Sequence, residues 1–449
     1  MVNTLLLPEL REMLADNNAT ELEEFCSALN ASRTAEFMEG LSDDEAWTVL
    51  SHAQPARRAE IFGHFEYQRQ IAILTNHDAA QVAELVVELA ADDRVDLLQE
   101  LSNERVDEIL PLLPSADRRD IQRLRAYPDG TAGALMTTEV AKLDENLTVR
   151  QALDELANQS EFLETIYYLY IVRDDGQLRG VVSTRQLVSA LRRPSTRLSE
   201  LVETDIVTVL TTDDQESVAE KVERYNLLAI PVVDEARNLV GIITHDDVID
   251  VVREELTQDA QQMAAVSPLE DDFLRMSILT LSWKRGMWLI ILFFAALLTA
   301  LALRHYETDL EQFAWLVWFI PLIISSGGNS GSQSATLVIT AMTGGEVRLR
   351  DWPTVMIREW FVSLLLGGFL SAIGMLVAVF IAPSIRAATV IPITLLAVVI
   401  CGCVCGAALP LIFKRLGLDP ALMSNPFVAG IVDILGIVIY INVARIVLA

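Results

Sequence analysis

Cysteine is scarce in this chain: four in 449 residues, with Cys26 alone and Cys401, Cys403 and Cys405 together in "CGCVCG". The spacing matches no zinc motif. Thiols this close could in isolation hold a metal, but Cys401 and Cys405 share a helix face that Cys403 leaves, so they read as small apolar filler in a packed membrane helix. The five histidines are scattered and carry no metal role. The start, "MVNTLLLPELREML", lacks a basic region and turns acidic at once, so no cleaved signal peptide is expected. No nucleophile–base pair or catalytic metal cluster occurs in the apolar segments, so an enzyme is not expected. Basic residues are also few, 34 Lys and Arg against 62 Asp and Glu for a net charge of −28, and no nucleic-acid partner is expected.

What is present is divided sharply. Residues 273–449 hold 11 Lys/Arg and 8 Asp/Glu, a balance of +3, which leaves −31 on residues 1–272. The chain is therefore an acidic half joined to a hydrophobic, nearly neutral one. The hydrophobic half breaks into five stretches, 284–303, 315–341, 360–381, 390–413 and 427–448, each near the roughly 20 residues that cross a bilayer. Between them, Lys284, Arg285, Arg348, Arg350, Arg358, Lys414 and Arg415 fall on one side and Arg304 and Arg386 on the other. The positive-inside rule then places the acidic half in the cytoplasm and the C-terminus outside a multi-pass cell (inner) membrane protein.

Residues 1–125 read as short amphipathic helices with leucines at i, i+3 and i+4. An internal echo, "VLSHAQPARRAEIFGHFEYQRQIAIL" from Val49 against "LVVELAADDRVDLLQELSNERVDEIL" from Leu85, pairs Phe62 with Leu98, Arg69 with Arg105 and Leu74 with Leu110. Stacked helical units of this kind predict a small all-α superhelix. At "AYPDGTAGALMTTEV", residues 126–140, the texture turns to Gly, Pro and Thr and then to β-branched runs. A second duplication sets "LYIVRDDGQLRGVVSTRQLVSAL" from Leu169 against "IPVVDEARNLVGIITHDDVIDVV" from Ile230, pairing Gly180 with Gly241 and Ser183 with Thr244. This strand-turn-strand-helix pair, over about 136–195 and 196–250, resembles a tandem of cystathionine-β-synthase (CBS) regulatory domains. The resemblance implies possible adenine-nucleotide binding through an Asp three residues after the Ser/Thr: Asp247 after Thr244 fits, whereas the first copy has Gln186. From Asp246 a linking helix, 251–272, is expected to lead into the first span.

Inside the second span, "PLIISSGGNSGSQSAT" is predicted to be a helix broken at Pro321 and Gly327–Gly328, with Gly328, Asn329 and Gln333 lining a path or packing tightly through small residues. The last span carries Asp433, one and two turns beyond Ala429 and Asn425 on the same face. A carboxylate at the centre of an apolar helix costs roughly 2.5 to 3.5 kcal/mol on insertion scales. No Lys or Arg is expected in the interior of any span to offset it, so an ion or proton path is the expected reason for it. The oxygens of Asn425, Ala429 and Asp433 are hard ligands that suit Mg²⁺ or Ca²⁺.

"PLIISSGGNSGSQSAT", "KRLGLDPALMSNPF", "VDILGIVIYI" and "YPDGTAGALMT", in the order helical domain, CBS pair, linking helix and five spans, resemble the MgtE family of magnesium channels over essentially the whole chain. The implied fold is multidomain: an all-α superhelical N-terminal domain, α/β tandem CBS domains and a polytopic α-helical membrane domain over 273–449. The resemblance implies a homodimer in the lipid bilayer with its pore between subunits, Asp433 selecting the ion, and the linking helix acting as a plug. It also implies that Mg²⁺ is both cargo and regulatory ligand, closing the pore from the cytoplasm. Candidate regulatory acids are Asp92, Asp93, Asp246, Asp247, Asp250, Glu254, Glu255, Asp259 and Asp419. Two alternatives stand beside this reading: a transporter of Mn²⁺ or Co²⁺, and a CBS-regulated carrier of anions or organic solutes, which the missing cations in the spans disfavour.

Overall fold

The computed structural model describes residues 5–159, 163–269, 273, 276–422 and 425–448. Residues 1–4, the end of the expected linking helix at 270–272 and residues 423–424 of "DPALMSNPF" lie outside the described residues. Short helices joined by brief turns open the chain: α1 (Leu7–Ala15), α2 (Ala19–Ala28), α3 (Ala31–Met38), α4 (Asp43–Leu50), α5 (Pro55–Gly63), α6 (Tyr67–Asn76), α7 (Ala79–Glu88), α8 (Ala91–Glu100), α9 (Asn103–Ile109) and α10 (Ser115–Leu124). Asn18, Asn30, Ser42, Asp78 and Ser102 each accept a backbone N–H at a helix start, so caps and not long propensity runs set these boundaries.

The repeat acquires a physical meaning here. Arg69 donates to Met38 O (3.0 Å) and Leu41 O (2.7 Å), and Arg105 donates to Leu74 O (2.9 Å) and to His77 O. Arg57 does the same at Cys26 O (3.0 Å) and Leu29 O. Each guanidinium thus takes up carbonyls left open at the end of an earlier helix and staples one layer of the superhelix to another.

A short helix α11 (Ala132–Leu135) leads into two three-stranded sheets. The first has β1 (Val140–Asp144), β2 (Thr165–Val172) and β3 (Leu178–Ser183), with helices α12 (Val149–Gln159) and α13 (Thr184–Ser189). The second has β4 (Val209–Leu210), β5 (Ala229–Val233) and β6 (Leu239–Thr244), with α14 (Gln215–Tyr225) and α15 (His245–Met263). Both sheets pair the first strand parallel and the last antiparallel to the middle one. The equivalent glycines face crossing backbone: a Cβ on Gly241 would stand 2.5 Å from Thr137 O, and one on Gly180 would overlap Glu203 O. The helical layers and the second sheet share one core within the unit 1–252, where Arg123 donates to Val240 O at 3.3 Å, while the first sheet packs on its own helices and against the second sheet.

The second unit, 253–449, is helical: α16 (Ile278–His305), α17 (Glu307–Gln312), α18 (Ile320–Thr343), α19 (Trp352–Ile381), α20 (Ile385–Ala388), α21 (Val390–Arg415) and α22 (Asn425–Leu448). α16, α19, α21 and α22 are long and apolar enough to cross a membrane. The fifth, α18, is more polar and packs on α21 and α22 along one side, where Ser330 and Ser334 are buried.

Three expectations are corrected. The second span is not broken: Pro321 occupies the first turn of α18, where its missing N–H costs nothing, and the helix runs on through Gly327 and Gly328. The third span's helix starts at Trp352 and not near 360, which places Arg358 and Glu359 inside it, and Arg445 sits in the last turn of α22, so helix interiors are not free of basic residues. The linking helix ends at Met263, after which Ala265 takes a positive φ of 58° and the chain turns.

Gly327 and Gly331 are contact points. A Cβ on Gly402 of α21 would lie 2.5 Å from Gly327 O, and one on Gly406 closer still to Gly331 O. Backbone thus packs on backbone, with small residues permitting the approach. Gly406→Ala is expected to destabilise the protein by about 1 to 3 kcal/mol through overpacking. Gly368→Ala, whose Cβ meets nothing within 4 Å, is expected to be neutral in the same thermal-melting comparison in detergent.

Candidate functional site

Close packing of α18 on α21 leaves another face of α18 against α22. There a Cβ on Gly328 would lie 3.4 Å from Ala429 Cβ and 3.5 Å from Asp433 Oδ1, so no side chain stands between α18 and the carboxylate. Asn425 begins α22 and is held from two sides: Ser332 Oγ donates to its main-chain oxygen and Thr336 Oγ1 to its side-chain oxygen, each at 3.0 Å. Asn425, Ala429 and Asp433 are all half-buried and follow one another at helical spacing. Asn329 and Gln333 lie on the exposed side of α18, where the Asn329 amide bonds to Ser325 of its own helix at 3.2 Å. Ser332 and Thr336 were visible in the sequence as part of a polar run, but only the packing assigns them to Asn425.

The far end of α22 is anchored as firmly. Tyr440 OH donates to Leu316 O (2.9 Å), Asn442 reaches Tyr306 OH (3.4 Å), and Arg445 grips Asp309 of α17 with two bonds of 2.9 and 2.7 Å while stacking on the Tyr306 ring. α22 is thus held by side-chain bonds at both ends, with Asp433 between them.

A second group of carboxylates lies within 1–252. Asp92, Asp93 and Asp96 project from α8 toward Asp246, Asp247 and Asp250 of α15, with Glu164 at the foot of β2. Loss of hydration and then mutual repulsion push every member that responds upward: Asp92 well above its ordinary value, Asp96 and Glu164 to about 7, Asp247 to about 6. Asp92 Oδ1 is buried with no hydrogen-bond partner. Among the described residues no three of these side chains stand close enough together to hold a metal ion, but the donors they offer are all oxygens, the kind that suits Mg²⁺. Asp96 was legible as the residue one turn after Asp92; Glu164 arrives from a distant loop and had no local signal. Asp247 also accepts from Thr244 N (3.1 Å) and Thr244 Oγ1 (2.5 Å), capping α15 as Gln186 with Ser183 caps α13.

Further along α15, Glu254 accepts from Gln258 (3.0 Å) and Glu255 has partners of its own. Asp259 accepts from Thr343 at the end of α18 (3.3 Å), and burial followed by the charge of Asp419 raises its carboxyl. Asp419 itself accepts from Ala421 N at 2.8 Å.

Residues 29–130 match the MgtE intracellular N domain, 132–193 and 198–254 the CBS domain, and 320–443 the MgtE family described as a divalent cation transporter. A magnesium transporter MgtE of Thermus thermophilus is 34% identical over 99% of this chain and 98% of its own. The chain belongs to the MgtE family. The Bacillus subtilis magnesium transporter MgtE is 30% identical over 86% of this chain and 84% of its own. The solved cytosolic domain of the Mg²⁺ channel MgtE in complex with ATP is 33% identical, covering 54% of this chain and 98% of that one with a TM-score of 0.51. MgtE proteins are transporters and not enzymes, and the apolar helices make this member a multi-pass membrane protein.

The raised carboxyls predict a pH dependence of definite sign. A group whose folded pKa lies above its unfolded value of about 4 costs no stability below that value, and the cost grows as pH rises through the folded pKa. For Asp96 and Glu164 that value is about 7. Without divalent cations, the unit 1–252 is therefore expected to melt at higher temperature at pH 6 than at pH 8, and added Mg²⁺ should close the gap. Equal melting at both values in EDTA would contradict it.

Proposed function

We propose that this chain is a Mg²⁺-selective channel for magnesium uptake, closed by Mg²⁺ on the side of its acidic domains. The observation that carries this reading is Asp433, set on α22 in line with Asn425 and Ala429 and facing the bare backbone of Gly328. A carboxylate lodged among helices with no basic side chain bonded to it among the described residues is offset when a divalent ion passes. The exposed sides of α18, with Asn329 and Gln333, and of α22 would meet a second copy, so the path would run between the subunits of a homodimer. Mg²⁺ sheds its water reluctantly, so Asp433 and nearby carbonyls would read the hydrated ion. The names of the relatives support Mg²⁺ as the cargo ahead of Mn²⁺ or Co²⁺. The bias of basic loop residues supports an N-terminus in the cytoplasm and a C-terminus outside.

Regulation follows from the acids. At low cytosolic Mg²⁺, Asp92, Asp93, Asp246, Asp247 and Asp250 repel. At high Mg²⁺, bound ions draw α8 and α15 together, while Glu254, Glu255, Asp259 and Asp419 would hold ions near the end of α18. The differential binding shifts the population toward the closed state. Adenine nucleotide is a further ligand of the CBS pair, with Thr244 and Asp247 as its ribose partners, on the support of the ATP complex of a relative's domain.

Mg²⁺ influx into proteoliposomes carrying a trapped dye tests both parts. Asp433→Asn is expected to abolish influx or its selectivity, and Mg²⁺ on the acidic face to suppress the native flux. Influx through Asp433→Asn equal to native in rate and selectivity would move the path elsewhere. Gly328→Ala, whose methyl makes ordinary contacts of 3.4 and 3.5 Å, is expected to leave melting unchanged while reducing flux, read in the same liposomes.

A further inference from the structure

α19 contains a carboxylate that the ion path does not use. Glu359 lies seven residues inside the helix, about 10 Å from its start. It is turned to protein, where its Oε2 accepts a 2.6 Å hydrogen bond from Ser334 Oγ of α18, a buried residue. An acid within a membrane helix is expensive and needs a reason.

The serines of α18 provide one. Ser326, Ser330 and Ser334 recur every four residues, and the first two donate back to their own helix, at Leu322 O (2.7 Å) and Ser326 O (2.8 Å). Ser334 breaks the pattern. The carbonyl it would have used, Ser330 O, faces the Cys403 thiol of α21 at 3.8 Å, and the Ser334 hydroxyl goes across to Glu359 instead. Each residue turns about 100° around a helix, so Ser334 lies roughly opposite Ser332 and Thr336, the two residues that hold Asn425. α18 is gripped across its axis, by Glu359 on one side and by the first residue of α22 on the other.

We propose that Glu359 is a positioning residue of the ion path: through Ser334 its carboxylate sets the rotation of α18, and so the placement of Gly328, Ser332 and Thr336 against Asn425, Ala429 and Asp433. This rests on the path proposed above. A hydrogen bond to a carboxylate is stronger than one between neutral groups, which suits a bond that must hold one helix while ions pass another face. The thiol of Cys403 has a part in the same arrangement, occupying the carbonyl that would otherwise take back the hydroxyl.

The full-length protein in proteoliposomes, with Mg²⁺ and Mn²⁺ influx measured separately and melting recorded for each variant, tests this. Glu359→Ala and Ser334→Ala are each expected to change the Mg²⁺/Mn²⁺ flux ratio by about tenfold, the size of one charge-assisted bond. The double variant should be no worse than either, because both remove the same bond. Glu359→Gln keeps an acceptor and should restore most of the ratio. A native ratio in Glu359→Ala, or Glu359→Gln as impaired as Glu359→Ala, overturns the positioning role; so does a loss of flux that merely follows the loss of folded protein at constant ratio. Asp433→Asn run alongside separates the cases: a native ratio there overturns the path itself, whereas an altered ratio there with a native one in Glu359→Ala overturns the positioning alone.

Discussion

Helices in a bilayer gain little from burying apolar surface against one another, since lipid is equally apolar, and so depend on how closely their backbones can approach. In this protein the approach is made by Gly327 and Gly331 of α18 against Gly402 and Gly406 of α21. With α18 held there, its next face has no choice but to present Gly328 to α22, and Asp433 finds backbone where most helix pairs would offer a side chain. The bonds from Ser332 and Thr336 to Asn425, and from Ser334 to Glu359, are possible because the helix they stand on is already seated.

Carboxylates in this chain differ in how their charge is met. Asp309 is gripped by Arg445, whose donated bonds hold its carboxyl below the usual range, and its work is to tie α17 to the end of α22. Asp92, Asp96, Asp247 and Glu164 face other acids and are pushed upward. A paired carboxylate is a structural tie, while an acid among acids stores repulsion that a divalent ion or a proton can relieve. The arginines of the superhelix divide their donors between helix-end carbonyls and acids outside α8, Arg57 pairing with Glu60, Arg69 with Asp43 and Arg105 with Glu108.

Much of this was legible in advance because it is periodic. The 36-residue echo from Val49 to Leu85 predicted that Arg69 and Arg105 stand at equivalent places, and both cap an earlier helix. Gly180 and Gly241 are paired by the duplication and both lie under crossing backbone. Asn425, Ala429 and Asp433 were placed on one face by spacing alone. Where the reading failed, the same residue type serves opposite ends: glycines that can interrupt a helix can also let two helices touch, and nothing in "SSGGNSGS" says which. Glu359 carries no signal in the apolar run that marks the third span, because Trp352 and Pro353 begin the helix two turns before that run. The end of the linking helix is silent in the sequence because the turn at Ala265 has no glycine to announce it.

The sequence by itself determined the division into an acidic half and a membrane half, the helical and β content of each region and the line of oxygens on the last helix, since all of these follow from composition and from periods of two or 3.6 residues. The tertiary structure decided which carboxylates meet, that Ser334 turns away from its own helix to Glu359, and that Gly328 and not Asn329 stands against Asp433 in one chain. Those outcomes depend on the rotation of one helix against another. A turn of one residue is about 100°, and that angle is set by packing at glycines that local sequence treats as interchangeable.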